Sequence, residues 1–147
     1  MNDYQYDGAG LKLTENFEAC KLTAYQDVRG VWTVGWGHTG ADVYEGLTIT
    51  QTEAEQFLKQ DIAHAVTTVN RVVTVPLTQT EFDALCDFTY NAGCGAFEGS
   101  TMLRDLNAGD FTAAAEQFCL WDHSGGGNVV AGLLRRRRAE ERLFVGG

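Results

Sequence analysis

Residues 15–40 read ENFEACKLTAYQDVRGVWTVGWGHTG, and their pattern predicts a helix that ends and gives way to a small β-structure. Apolar residues recur at helical spacing up to position 20, which predicts an amphipathic helix over 9–20 with Glu18 in its last turn. Residues 28–30 end in glycine and indicate a turn. The alternating run 31–36 that follows is typical of a strand.

The predicted strand has two different faces. Trp32, Val34 and Trp36 share one face, whereas Thr33 and Gly35 lie on the other. An aromatic stripe of this kind could bind a ligand, but aromatic side chains more often fill a core. We therefore expect Trp32 and Trp36 to pack in the interior.

Glu18 and Asp27 lie nine residues apart and could form a hydrolytic pair. Cleavage of a glycosidic bond without a metal needs one carboxylic acid to protonate the leaving oxygen and a second carboxylate to activate water or attack carbon. The negative end of a helix and partial burial would favour the protonated form of Glu18, whereas Asp27 at a polar turn should stay ionised. Thr33 could orient a water beside Asp27. Since the chain has 20 acidic residues, with Glu15 close by, spacing alone leaves a chance pairing open.

Two capping boxes organise the rest of the chain. Thr-Gln-Thr-Glu occurs at 50–53 and 78–81, and in each the threonine caps a helix start while the glutamate reaches back. They predict a helix over 51–72, long enough at roughly 33 Å to join two lobes, and a second helix over 79–91. Further helices are expected over 100–107, 110–120 and 130–144, with a loop at 124–128.

Composition limits the class of protein. The chain has 147 residues, 44% of them apolar, and we expect one globular domain over residues 1–147. The formal net charge of −9 is a poor footprint for nucleic acid and repels anionic cell envelopes. No secretory signal and no run of 18 apolar residues is visible. We therefore expect a monomer with no nucleic-acid partner and no stable membrane association.

The four cysteines are Cys20, Cys86, Cys94 and Cys119. None forms a C-x-x-C pair and the three histidines do not complete a zinc spacing, so we expect neither a metal nor a cofactor. Buried free thiols are the preferred interpretation, because cysteine packs as a small apolar residue. The sequence leaves a disulfide open.

Residues 18–38 resemble the signature of the phage T4-type lysozymes, glycoside hydrolase family 24. The family places Glu at a helix end, then Leu-x-Ala-Tyr-x-Asp-x-x-Gly-x-x-Thr-x-Gly-x-Gly-His. The residues that match are Leu22, Ala24, Tyr25, Asp27, Gly30, Thr33, Gly35, Gly37 and His38. Segments 53–66, 88–110 and 132–144, together with Trp121, are similar to the family's interlobe helix, C-terminal lobe and closing segment.

The resemblance implies an α+β, mainly α, lysozyme-like fold: a small β-hairpin N-terminal lobe and a helical C-terminal lobe, joined by the long helix. It implies hydrolysis of the β-1,4 bond between N-acetylmuramic acid and N-acetylglucosamine in bacterial peptidoglycan. The family inverts the anomeric centre, which implies carboxyl groups about 6.5–9.5 Å apart. By position, Glu18 rather than Glu15 is the general acid, and Asp27 with Thr33 activates water.

The resemblance also assigns supporting roles. His38 is expected to be structural and to pair with Asp61 on the long helix. Tyr90 and Asn91 align with cleft-lining positions, where an aromatic face and an amide could contact sugar, and Ser100 matches a position that contacts saccharide. A core or capping role is open for each of these three, and Ser100 could equally be the N-cap of the next helix.

Arginines fill positions 135–138. A solvated helix face, with favourable charge near the helix C-terminus, is the simplest interpretation. The sharper alternative is that Arg135 steadies Glu18, as an arginine does in related lysozymes, while the other arginines bind anionic wall polymer.

The leading hypothesis is an endolysin that accumulates in the host bacterial cytoplasm, reaches the periplasmic cell wall through a holin pore and lyses the host. One rival is a lytic transglycosylase of similar architecture, which would lack the water-positioning pair of Asp27 and Thr33. The other is a non-catalytic peptidoglycan-binding module, against which an intact set of Glu18, Asp27 and Thr33 argues.

Overall fold

The computed structural model describes residues 2–6, 8–27, 29–122 and 131–146. The chain forms two compact units, one of residues 14–63 and one of residues 1–13 with 64–147. Val28 of the predicted turn, the predicted loop at 124–128 and the predicted helix start at Val130 lie outside the described residues.

The unit of residues 14–63 contains a three-stranded antiparallel sheet in the order β1-β2-β3. The strands are β1, Lys21–Gln26; β2, Trp32–Gly35; and β3, His38–Thr39. Thr33 in the central strand lies opposite Tyr25 on one side and Thr39 on the other. The two-residue strand β3 was not predicted. The unit buries Val34, Trp36, Val43, Ile49, Ala54, Leu58 and Ile62. Trp36 packs in the core as expected, whereas Trp32 is only half-buried.

Helix α1, Gly8–Phe17, ends earlier than the predicted residue 20. Glu18 therefore follows the helix instead of belonging to it. Its backbone N–H still donates to the carbonyl of Thr14 at 3.0 Å, which is the bond of a helical turn. Glu18 thus lies at the carboxyl end of α1, one residue past the helix in whose last turn the sequence placed it.

Both capping boxes are present, and both open the helices that they predicted. Helix α2 covers Gln51–Val72, and α3 covers Gln79–Ala92. Thr50 Oγ1 accepts from the N–H of Glu53 at 3.1 Å, and the Glu53 carboxylate accepts from the N–H of Thr50 at 3.0 Å. The same reciprocal pair of bonds closes the start of α3.

The other unit is helical. Beyond α3 it contains α4, Cys94–Glu98; α5, Thr101–Asn107; α6, Phe111–Gln117; a 3₁₀ turn, Phe118–Leu120; and α7, Ala131–Gly146. The five-residue helix α4 was not predicted. Phe88 lies at the centre of the core and meets Phe97, Phe118 and Trp121 edge-on, with ring centroids 5.4–6.3 Å apart.

The four cysteines are free thiols, but the expectation that they are buried holds for Cys86 alone. Cys20 is exposed, and Cys94 and Cys119 are half-buried. The apolar pattern around these three did not distinguish an interior position from an edge. Of the helices in the described ranges, none is both long and apolar enough to cross a membrane.

Candidate active site

Asp27 closes the turn between β1 and β2. Its Oδ1 accepts hydrogen bonds from the backbone N–H groups of Arg29 at 2.8 Å and Val31 at 3.0 Å. Its own N–H donates to the Val31 carbonyl at 2.9 Å, and the N–H of Gly30 donates to the Asp27 carbonyl at 2.9 Å. Gly30 has φ of 79°, a conformation that glycine adopts without steric cost. The local sequence Asp-x-x-Gly thus builds the turn and fixes the carboxylate in it.

This turn also sets the charge of Asp27. The hydrogen bond from Val31 lowers the pKa of the Asp27 carboxyl most, and the bond from Arg29 lowers it further. The carboxylate is therefore ionised at neutral pH. Among the described residues its second oxygen, Oδ2, has no hydrogen-bond partner and so keeps its lone pairs for another donor.

Thr33 is linked to Asp27 through Val31. The hydroxyl of Thr33 donates to the Val31 carbonyl at 2.9 Å, and that carbonyl also accepts the N–H of Asp27. Because its proton is used, the hydroxyl oxygen of Thr33 can only accept from a further partner. Both side chains therefore bring acceptor oxygens to the same end of the hairpin.

Glu18 lies beside the β2–β3 turn. A methyl group on the Cα of Gly37 would stand 3.9 Å from Oε2 of Glu18. Gly37 has φ of 88°, so the turn itself requires glycine at this position. The absence of a side chain at 37 also leaves space next to the half-buried carboxyl group. The structure thus brings Glu18, Asp27 and Thr33 into one compact unit.

His38 is held between two carboxylates. Its Nδ1 lies 2.9 and 3.0 Å from the oxygens of Asp61, and its Nε2 lies 3.1 Å from those of Asp42. The ring stacks on Phe57 with centroids 4.1 Å apart. Burial alone would lower the pKa of His38, but the bonds to Asp61 and Asp42 outweigh it and raise the pKa. The contact with Asp61 was predicted; the contact with Asp42 was not.

The three predicted sugar contacts lie in the other unit and differ in exposure. Tyr90 is half-buried and Asn91 is exposed, both near the end of α3. Ser100 is buried and caps α5: its hydroxyl accepts from the N–H of Leu103 at 3.0 Å and donates to the carbonyl of Phe97 at 2.7 Å. This bonding favours the capping role over the sugar contact.

The arginine run is not a single solvated face, which corrects the simplest interpretation of the sequence. Arg136 and Arg137 are only 4% and 1% exposed, respectively. Arg136 forms a bidentate pair with Asp87 of α3 at 2.8 and 2.9 Å. Helix α7 packs against α3, so the middle of the run faces buried acids instead of water. Arg135 is exposed, and its predicted contact with Glu18 stays a prediction.

A second buried acid, Glu140, completes this cluster. Burial raises the pKa of Glu140 well above its ordinary value, and the neighbouring Asp87 acts in the same direction. Glu140 Oε2 accepts from Arg137 at 3.0 Å. The spacing of Glu140 from the arginines, three and four residues along a helix, was the available sequence signal for this cluster.

Comparison with known proteins settles the family. The phage lysozyme family model matches residues 15–140. The chain belongs to the phage lysozyme family. It is 40% identical over 145 residues to the endolysin of Salmonella phage P22, across 96% of this chain and 98% of that protein. It is 42% identical over 141 residues to the endolysin of Bacillus phage B103, although those residues, 95% of this chain, span only 53% of that longer protein.

A solved structure gives the same result for this phage lysozyme. The endolysin from Escherichia coli O157:H7 phage FAHEc1 superimposes with a TM-score of 0.91 at 37% identity, covering 98% of this chain and 95% of the other. The predicted family and the predicted lysozyme-like fold, mainly helical with a small antiparallel sheet, are therefore confirmed.

Proposed function

We propose that this phage lysozyme is an endolysin that hydrolyses the β-1,4 bond between N-acetylmuramic acid and N-acetylglucosamine in bacterial peptidoglycan. Glu18 is the general acid, and Asp27 with Thr33 activates water. The observation that carries the proposal is the turn around Asp27: it holds an ionised carboxylate whose Oδ2 accepts no bond from the described residues, and Val31 links this turn to the Thr33 hydroxyl. Relatives named endolysin along most of the chain support the same reaction.

The reaction follows from the hydrogen-bonding capacity of these groups. A water molecule that donates one proton towards Asp27 Oδ2 and the other towards Thr33 Oγ1 has a lone pair left to attack the anomeric carbon. As the water oxygen bonds to carbon, the glycosidic bond breaks and Glu18 gives its proton to the leaving oxygen. Asp27 takes the proton of the water, so every proton is accounted for. Attack opposite to the leaving group inverts the anomeric centre.

His38 acts through structure in this scheme. Its pairing with Asp61 ties β3 to α2 within the unit that holds Glu18 and Asp27. Tyr90 and Asn91 remain the proposed sugar contacts, since both have surface available near the end of α3. Ser100 is the weakest of the proposed contacts because its hydroxyl is already used twice.

A lytic transglycosylase of similar architecture is the alternative reaction, and product analysis separates the two. Purified peptidoglycan is digested in ¹⁸O-labelled water and the fragments are weighed by mass spectrometry. Hydrolysis predicts reducing muramic acid ends that carry one ¹⁸O. Unlabelled 1,6-anhydro ends would overturn the proposal in favour of the transglycosylase, and no new ends would favour a non-catalytic binding module.

We extend the proposal to the cellular setting. The chain acts as one lysozyme domain over 1–147, as a monomer without a nucleic-acid partner or stable membrane association. It accumulates in the host cytoplasm and acts on the periplasmic wall after release. The net charge of −9 supports the absence of a nucleic-acid partner, and the endolysin names of the relatives support action on the wall.

A further inference from the structure

Arg137 and Asn91 form a pair that joins the interior of the helical unit to its surface. Arg137, on α7, is 1% exposed, whereas Asn91, near the end of α3, is exposed. A guanidinium N–H of Arg137 donates to Oδ1 of Asn91 at 2.8 Å. A buried cation therefore contacts one of the proposed sugar contacts directly.

This bond fixes the orientation of the Asn91 amide. A guanidinium has donors and no acceptor, so the amide atom that faces Arg137 has to be the carbonyl oxygen. The Nδ2 group then points away from Arg137. In the described part of the chain Nδ2 has no hydrogen-bond partner, so both of its protons are available to a ligand.

Arg137 is itself held in place from several sides. Its guanidinium donates to Glu140 Oε2 at 3.0 Å, and its Nε lies 2.7 Å from Glu140 Oε1 in a contact without hydrogen-bond geometry. The guanidinium carbon also lies 4.9 Å from the centre of the Phe88 ring. These contacts leave the Arg137 side chain few accessible rotamers, so its guanidinium can hold the neighbouring Asn91 amide in one orientation.

The same two residues line a surface cavity of about 300 Å³. Its described wall consists of Asn91, Ala92, Trp121, Leu133 and Arg137. The cavity combines an apolar surface from Trp121 and Leu133 with N–H donors from the polar residues. That combination suits a small acylamino group, in which an apolar part adjoins a carbonyl oxygen.

We propose that Arg137 is a positioning residue, which orients Asn91 so that its Nδ2 donates to an amide carbonyl oxygen of the peptidoglycan strand. The inference rests on the proposed function, since it takes peptidoglycan as the ligand. Two parts of the strand carry this chemistry, the N-acetyl groups of the sugars and the amides of the peptide stem. Asn91 touches substrate, and Arg137 acts through Asn91.

The first test replaces the donor and keeps the bond to Arg137. In Asn91→Asp the carboxylate still accepts from Arg137, but the N–H donors are lost. We expect the apparent KM on purified peptidoglycan to rise about tenfold, the value of one hydrogen bond, with kcat and Tm near wild type. An unchanged KM overturns the proposal, and so does a rise that is matched by Asn107→Asp, a control at another asparagine of the same unit.

The second test shows whether Arg137 acts through Asn91. Arg137→Met removes the donor and should raise KM as much as Asn91→Ala does, while adding nothing in the Asn91→Ala background. Arg137→Gln, which can still donate, should restore part of the KM. If Arg137→Met raises KM by the same factor in the Asn91→Ala background as in the wild type, Arg137 does not act through Asn91 and the positioning role is overturned. If the Arg137 variants do not fold, Asn91→Asp still tests the Asn91 donor, and an unchanged KM in that variant overturns the proposal.

A third test identifies which carbonyl Asn91 contacts. The KM of wild type and Asn91→Asp is measured on glycan strands whose peptide stems have been removed by an amidase. A KM effect of Asn91→Asp that persists on these strands assigns the donor to an N-acetyl group, whereas an effect that disappears assigns it to the stem. Failure of the proposed function looks different: the wild-type protein would then release no reducing ends from either substrate.

Discussion

In the proposed reaction Asp27 serves structure and chemistry together. One oxygen of its carboxylate holds the turn, and the other accepts no hydrogen bond from the described residues. Thr33 divides its roles in the same way: its proton is donated to the Val31 carbonyl, and its oxygen accepts no bond within the described ranges. The hydrogen bonds that set these roles all lie within residues 27–33. A local sequence motif is therefore enough to predict this part of the candidate site.

Replacement of Asp27 by Asn should separate charge from shape. The Asn side chain keeps an oxygen that can accept from Arg29 and Val31, so the turn should survive. The proposed base is lost, and we expect kcat to fall about 10²- to 10⁴-fold with only a small decrease in Tm at neutral pH. Reducing-end assays and thermal melts measure the two effects. A variant with wild-type kcat would remove Asp27 from the mechanism.

The lowered pKa of Asp27 also predicts a pH dependence. A carboxyl whose pKa is lower in the folded protein stabilises it above the unfolded value of about 3.9, and this stabilisation is lost as pH falls through the folded pKa. Asp27→Asn lacks this contribution. The difference in unfolding free energy between wild type and Asp27→Asn should therefore shrink below pH 4. A difference that stays constant from pH 6 to pH 2 would contradict the assignment.

His38 predicts the opposite pH dependence. Its raised pKa stabilises the folded protein fully below the unfolded value of about 6.5, and this stabilisation is lost as pH rises through the folded pKa. His38→Ala should cost about 2–3 kcal/mol at pH 5.5 and less at pH 9, with turnover affected less than stability. Chemical denaturation at both pH values tests this. Lost activity at unchanged Tm would show a catalytic role instead.

Elements of this protein were predictable where their ends carry side-chain caps. The boxes at Thr50 and Thr78 specify their helices through bonds to residues only three positions away. Strand β3 has only two residues and is defined by its pairing with β2, so no local sequence pattern predicts it. The interpretation of the arginine run as a solvated face was wrong because Asp87, the partner of Arg136, lies 49 residues away in sequence.

The packing of α3 against α7 should depend on the Asp87–Arg136 pair. Both side chains are at least 95% buried, so removing one leaves an uncompensated charge. We expect Arg136→Met to cost about 3–5 kcal/mol, and Asp87→Leu with Arg136→Met to cost less than the sum of the single changes. Urea unfolding gives these values. Additive costs would mean that the pair is not coupled.

A surface pair provides the control. Arg71 and Glu98 form an ion pair in the same unit, but their side chains are 53% and 40% exposed. Arg71→Met should therefore cost less than about 1 kcal/mol. If it cost as much as Arg136→Met, burial would not be what makes the α3–α7 pair important.

At the scale of the whole molecule, the fold class and the family follow from motifs spread along the chain, because each motif reports its own local structure. The second carboxylate on His38 did not follow, although Asp42 lies only four residues away, because no sequence pattern indicates how the loop beyond β3 folds back onto the ring. The role of Arg137 did not follow because it depends on Asn91, 46 residues earlier. Tertiary packing decides such contacts, and a single sequence does not encode them in a readable pattern.

The net charge of −9 belongs to the whole molecule and predicts a salt effect. Like charges on enzyme and wall repel over a Debye length of about 30 Å at 0.01 M salt, but only over about 8 Å at 0.15 M. We expect lysis of an anionic cell wall to accelerate severalfold across this range. The rate of cleavage of a soluble, uncharged chitin oligomer should not depend on the salt concentration. A wall rate that falls steadily with salt would contradict this prediction.

In the proposed reaction the carboxyl group of Glu18 supplies the proton for bond cleavage. The most direct measurement compares the release of reducing ends from purified peptidoglycan by Glu18→Gln and by Glu15→Gln, its neighbour one helical turn earlier. We expect a loss of at least about 10²-fold in kcat for Glu18→Gln at unchanged Tm, and near-wild-type turnover for Glu15→Gln. Full activity in Glu18→Gln, or a loss confined to Glu15→Gln, would contradict it.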